Sequence, residues 1–210
     1  MASSTRASGA DRLQRLFELA AGQTGYFTAA QARGLGYSAR SLQHHLATGR
    51  FERVSRGFYR LAGVPADSRE DVVAAWLRLA PRGAVVSHDT ALGLYDLAPS
   101  RSQAIHLTLP RAHRPRNPLV APGVELHTTT RPLRRDEVAK RFGVELTSPA
   151  RTITDAAEIG VDPAAIIEAT ARALATGLVT RDELRGAVVG RSARVRRLVE
   201  RAIQEADAGA

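Results

Sequence analysis

Apolar residues recur at helical spacing from about Asp11, where Leu13, Leu16, Phe17 and Ala20 lie on one face until Gly22 ends the pattern. Thr28 then stands as N-cap before a short helix over 29–35 closed by Gly36. Ser38 does the same before a second helix over 39–48 closed by Gly49. The tight link Gly36-Tyr37-Ser38 joins them. On the second helix Ala39, Leu42 and Leu46 share one face, which leaves Ser38, Arg40, Ser41, Gln43 and His44 outward or flanking. Two β-prone runs, 51–55 and 58–61, flank Arg56-Gly57 and predict a hairpin. Helix, helix-turn-helix, hairpin is the order of a winged helix.

Beyond the turn-rich connector 64–68 the pattern changes. Val72, Val73, Trp76 and Leu77 give an amphipathic helix over 69–79 that Pro81 stops. A short apolar run, 84–86, leads to Ser87 as N-cap of a helix through Leu94. Alternating segments at 105–109 and 124–128 predict half-buried strands, and 144–146 a third, followed by Ser148 as N-cap and Pro149 at the first helical position. Helices over 163–175, 181–189 and 192–205 complete the chain. The expected fold class is α+β: a disordered tail 1–10, a winged helix-turn-helix domain 11–63, a linker 64–68, a mixed, helix-rich α+β domain 69–206, and a short tail 207–210.

Charge adds a partner to this picture. The 210 residues carry a formal charge of +9, and 29 of the 30 basic residues are Arg, Lys140 being the exception. Residues 1–63 hold nine Arg against Asp11, Glu18 and Glu52, so the excess concentrates in the N-terminal module rather than being spread evenly. Guanidinium groups stay charged at any working pH and favour polyanions. The outward set Ser38, Arg40, Ser41, Gln43 and His44 has the chemistry to bond phosphates and base edges in a major groove, while Arg50, Arg53, Arg56 and Arg60 suit the phosphate backbone or the adjacent minor groove. Double-stranded DNA is thus the expected partner.

Other chemistries find little support. No Cys is present, which removes disulfides, Cys-ligated zinc and thiol catalysis. The lone Lys140 follows Ala139, so no phosphate-binding G-x-x-x-x-G-K-[ST] loop exists, and Val138 occupies the Glu position of a D...E-x-K nuclease. Ser87-His88-Asp89 are consecutive and so do not converge as a catalytic triad must. His106 and His127 can face each other across paired strands, but no third metal ligand is evident, so no metal and no cofactor are expected. Arg151 and Asp155, at i and i+4, read as a helix-surface pair. Arg101, Arg111, Arg114 and Arg116, with His106 and His113, form either a solvated loop or a second nucleic-acid contact, and the same two readings apply to Arg191, Arg194, Arg196, Arg197 and Arg201. The longest charge-free run, 19–32, is too short and too polar for a membrane span, and the first ten residues lack the apolar centre of a secretory leader. A cytoplasmic location, without a membrane, is expected.

The run Gly25-Tyr26-Phe27-Thr28-Ala29-Ala30-Gln31-Ala32, followed by Gly36, Leu42, Gly49, Arg53-Val54 and Arg56-Gly57-Phe58-Tyr59-Arg60-Leu61, resembles the N-terminal winged-helix domain of AbiEi-type antitoxins of type IV toxin-antitoxin systems. Val86-Ser87-His88-Asp89-Thr90-Ala91-Leu92 and Leu146-Thr147-Ser148-Pro149-Ala150-Arg151-Thr152-Ile153-Thr154-Asp155 are similar to later stretches of the same family. The resemblance implies a non-enzymatic repressor that binds inverted repeats of its own operon for negative autoregulation, with a C-terminal domain opposing a nucleotidyltransferase-like toxin. A two-fold operator in turn implies a homodimer. The alternative is a protein-interaction antitoxin that masks a cognate toxin with little specific DNA binding.

Overall fold

The computed structural model describes residues 9–65, 67–99, 102–115 and 123–208. Most of the tail expected over 1–10 lies outside them, as do Arg101 and Arg116 of the Arg-rich loop and the last two residues. The chain divides into two units, Met1–Leu79 with Phe142–Val144, and Ala80–Arg141 with Glu145–Ala210. The first of these units extends through the 64–68 connector to Leu79.

In the first unit the elements are α1 (Gly9–Ala21), β1 (Tyr26–Thr28), α2 (Ala29–Gly34), α3 (Ala39–Ala47), β2 (Phe51–Ser55), β3 (Phe58–Leu61) and α4 (Glu70–Leu79). Helix α2 starts where Thr28 predicts. Its Oγ1 accepts the Gln31 N–H at 3.2 Å while Gln31 Oε1 accepts the Thr28 N–H at 2.8 Å, a reciprocal capping box. Gly36 (φ +88°) turns the chain into α3, and Gly57 (φ +73°) turns the β2–β3 hairpin, conformations that an L side chain resists. Strand β1 had no counterpart in the sequence pattern, because three residues are too few to alternate. It pairs antiparallel with β3, Tyr26 opposite Arg60 and Thr28 opposite Phe58, giving the sheet order β1-β3-β2.

The core of this unit gathers Leu16, Ala20, Phe27, Ala32, Tyr37, Leu42, Phe51, Tyr59 and Leu61. Phe27 is at its centre, edge-on to Phe51 at 5.0 Å and stacked on Tyr59 at 5.6 Å. Leu42 is buried and Leu46 packs against the core, as the α3 pattern predicts, but Ala39 is exposed at the start of the helix. Sheet residues Tyr26 and Phe58 stack on each other at 5.2 Å, and α4 lies against β1 and reaches them through Arg78, whose guanidinium sits 5.2 Å from the Phe58 ring. The β1–β3 part of the sheet is therefore covered on both faces, whereas β2 beyond Phe51 is exposed.

The second unit contains β4 (Val85–Val86), α5 (His88–Leu94), β5 (Ile105–Pro110), β6 (Val124–Thr129), β7 (Val138–Arg141), β8 (Val144–Thr147), α6 (Pro149–Glu158), α7 (Pro163–Ala175), α8 (Arg181–Ala187) and α9 (Ala193–Ala208). Its five strands run in the order β6-β5-β4-β8-β7, with β4 antiparallel to β5 and parallel to β8, and β5 parallel to β6. Strand β7 was not visible in the sequence, since Val-Ala-Lys-Arg carries no alternation. Helices α5 and α6 pack on each other, and α7 packs along α9. Leu92, Leu107, Leu109, Leu146, Ile153, Ile166, Leu184 and Val195 are all fully buried there. The last helix turns Val195, Val199 and Ala202 inward, where they are buried, and leaves Leu198 half-buried.

Candidate nucleic-acid interface

The α3 helix presents Arg40, Gln43 and His44 to solvent, with Ser38 exposed and Ser41 half-buried at its start. The two serines are occupied with one another. Ser38 Oγ accepts the Ser41 N–H at 3.1 Å, and Ser41 Oγ donates to the Ser38 carbonyl at 2.9 Å. They fix the helix start, and the outward chemistry of α3 rests on Arg40, Gln43 and His44. Neighbouring His45 turns the other way: it lies 4.7 Å from the Phe51 ring, and burial lowers its pKa.

Arg50 follows α3 and is exposed, as are Arg53 on β2 and Arg56 in the hairpin turn. The Arg53 guanidinium lies 5.9 Å from the Tyr59 ring. Arg40, Gln43, Arg50 and Arg56 have no side-chain hydrogen bond or ion pair among the described residues. Arg60 stands apart from this group. On the central strand β3 it donates to the Val64 carbonyl at 3.0 Å and to Glu70 Oε2 at 3.3 Å, and it sits 5.6 Å from the Tyr26 ring. Its Nε is buried with no hydrogen-bond partner among the described residues. The reason is α4, whose Glu70 occupies the side of the sheet that a free hairpin would leave to solvent.

A second constellation lies in the other unit, where Glu137 accepts both terminal nitrogens of Arg131 at 2.7 and 2.8 Å, Arg151 Nη1 at 2.8 Å and the Arg134 N–H at 2.8 Å. These hydrogen bonds, Arg131 first, hold its carboxyl down to about 2. Arg151 Nε also donates to Asp155 at 2.7 Å, and Arg191 closes on the same carboxylate. Asp155 is only 3% exposed, so the pair read as a helix-surface contact is instead the inner part of a chain of charges. Arg131, Arg134, Glu137, Arg151 and Arg191 line a cleft of about 640 Å³. Its half-buried Arg151 and Arg191 are already matched by acids, which makes the cleft a structural network before it is an anion site.

Ser87, His88 and Asp89 form no triad. Ser87 is fully buried, its Oγ accepting from Thr108 at 2.8 Å and contacting His88 Nδ1 at 2.8 Å, and it makes no capping bond. Asp89 instead accepts the Ser102 N–H at 2.9 Å. His106 and His127 do face each other, and Glu125 stands beside them as the third group that the sequence did not reveal. Of the C-terminal Arg cluster, Arg194 caps the Ala157 and Glu158 carbonyls and Arg201 pairs with Glu205, while Arg196 and Arg197 are exposed.

Residues 14–62 match the AbiEi_4 family, described as transcriptional regulator, AbiEi antitoxin. That segment runs from α1 through β3 and contains all nine residues predicted to contact DNA. The chain as a whole is similar in fold to the crystal structure of RV2827C protein from Mycobacterium tuberculosis, at 13% identity and a TM-score of 0.59, over 97% of this chain and 79% of that one. No curated protein matches it. Among the described residues no helix is long and apolar enough to cross a membrane.

Proposed function

We propose that the AbiEi_4-like unit binds operator DNA in a sequence-specific manner and acts as a non-enzymatic repressor of its own operon, as a dimer on a two-fold site. The observation that carries this reading is the exposed group on α3 and the hairpin: Arg40, Gln43, Arg50 and Arg56 project from ordered backbone without side-chain partners among the described residues. Ordered, unspent guanidinium groups on a helix-turn-helix suit a phosphate-lined groove, since no internal ion pair has to be broken for them to bind. In this reading Arg40, Gln43 and His44 face base edges, Ser38 and Ser41 set the helix start against the backbone, and Arg50, Arg53 and Arg56 contact phosphates. Arg60 supports the hairpin from behind. The second unit supplies partner contacts.

The test is binding of the purified chain to its own upstream DNA and to scrambled DNA of equal length across a salt series. A preference of about 10³-fold or more for the upstream fragment, with a linear log-log salt slope, is the expected result. Equal affinity for both would refute sequence-specific repression and favour the other family role, an antitoxin that masks a cognate toxin.

A further inference from the structure

The second unit gathers a mixed set of imidazole and carboxylate groups that the DNA-binding reading does not use. Strands β5 and β6 run parallel in register, with His106 opposite Glu125 and Thr108 opposite His127. Residues two apart on a strand share a face, so Glu125 and His127 come out on one side of β6 beside His106 on β5. His106 Nδ1 lies 2.9 Å from His127 Nε2, Glu125 Oε1 lies 3.6 Å from that same His127 nitrogen, and Glu125 Oε2 lies 3.9 Å from His106 Nδ1.

We propose that His106, Glu125 and His127 form a binding site for a divalent transition ion of the zinc class. The proposal rests on no part of the DNA-binding reading. Three observations support it. First, ligands about 2.0–2.1 Å from a tetrahedral ion stand roughly 3.3 Å apart, and one donor atom from each of the three residues can be chosen so that all lie within 4.8 Å of one another, so that an opening of the two rings by about 0.4 Å and a swing of the carboxylate that brings one oxygen toward both nitrogens complete the triangle. Second, the rings are held in place. His106 Nε2 lies 3.1 Å from Ser102 Oγ, and His88 stacks on His127 with 3.8 Å between centroids, the kind of outer support that orients metal-binding imidazoles. Third, access is graded: the His106 side chain is 5% exposed, His127 17% and Glu125 55%, so the ion would meet two anchored donors at the bottom and an exposed carboxylate at the mouth.

The donor set selects the ion. Two imidazoles with one carboxylate suit zinc-class ions and disfavour Mg²⁺ and Ca²⁺, which take all-oxygen shells. Coordination by both facing nitrogens displaces the proton now shared across the 2.9 Å contact, so binding releases it to another ring nitrogen or to solvent. Three protein ligands leave a fourth position at the exposed Glu125 side, open to water or to a group of a partner.

Titration of the chelator-treated full chain with Co²⁺, followed by displacement with Zn²⁺, tests the site. The expected result is one saturable ion per chain with the visible absorption of low-coordinate Co²⁺, lost on adding Zn²⁺. Glu125→Gln and His127→Gln should each weaken binding by tenfold or more while far-ultraviolet circular dichroism stays unchanged. Glu125 is at the mouth, so its variant is expected to fold. His44→Gln, at the adjacent His44-His45 pair of α3, should leave the binding intact. Absence of saturable one-to-one binding overturns the proposal, as does binding that His44→Gln abolishes or that neither site variant weakens. A loss confined to His127→Gln removes Glu125 and overturns the three-ligand assignment.

Discussion

Arg56 and Arg60 differ by four positions and by nothing in their side chains, yet the structure gives them opposite tasks. Replacing Arg60 by Ala removes a hydrogen bond to the Val64 carbonyl, a part-buried ion pair with Glu70 and a cation–π contact with Tyr26. A neutral-acceptor hydrogen bond is worth about 1 kcal/mol, a part-exposed ion pair about 0.5–1 and a cation–π contact about 0.5–1. Burial of the aliphatic stem adds to these, for a loss of about 2–4 kcal/mol. For a domain of this size each kcal/mol moves Tm by about 4–8 °C, so melting of the first unit should begin at least 8 °C lower. Arg56→Ala sits in an exposed turn and should stay within about 0.5 kcal/mol of the parent in stability. Its effect should appear in DNA binding, where loss of one phosphate contact reduces the log-log salt slope by about 0.9. Thermal melts by circular dichroism and a salt-titrated binding assay, run on both variants, separate the two roles. An Arg60→Ala protein with unchanged Tm and a salt slope reduced by about 1 would make Arg60 a phosphate contact and refute this assignment.

Further outcomes follow from the same packing. Phe27→Ala should cost about 3–5 kcal/mol and unfold the first unit near room temperature, because Phe27 is fully buried between Phe51 and Tyr59; a denaturant melt reads it. Arg40→Ala should relax discrimination between upstream and scrambled DNA by about 1–3 kcal/mol if Arg40 reads a guanine, whereas a uniform loss on both would make it a phosphate contact. Stability should fall on acidification in two stages. Burial, with the neighbouring histidines, lowers His88 from 6.5 to about 2, so the unfolded chain takes up that proton first and stability declines by up to about 1.4 kcal/mol per pH unit below 6.5. Glu137, lowered from 4.5 to about 2, adds a second loss below 4.5, and urea melts of Glu137→Gln should lack that added slope while being less stable at pH 7. Tyr95→Phe should cost about 1 kcal/mol by thermal melt, since its hydroxyl donates to the Thr147 carbonyl at 2.9 Å inside the second unit.

The sequence by itself determined the local elements and the character of the exposed charge. Capping residues located α2 and α3, Pro149 at the first helical position located α6 although Ser148 makes no capping bond, helical spacing located α7, and the Arg56-Gly57 turn between two β-prone runs set the hairpin to the residue, because these signals are decided by side chains within four positions of one another. The exposed face of α3 followed from the same short-range geometry. Tertiary structure decided everything that depends on which surface is covered and by what. Three-residue β1 exists only because β3 offers it an edge, and Arg60 is withdrawn from solvent only because α4 brings Glu70 to it across a gap of ten positions. The Glu137-Arg151-Asp155-Arg191 chain joins residues up to 54 positions apart, and a single helical i, i+4 spacing within it gave no sign of the other two partners. The same is true of His106 and Glu125, which meet through the parallel register of β5 on β6. A one-residue slip of that register would send Glu125 and His127 to the opposite face; alternation within each strand placed the two histidines on one side, but which residue of β6 stands opposite His106 is decided only by the pairing.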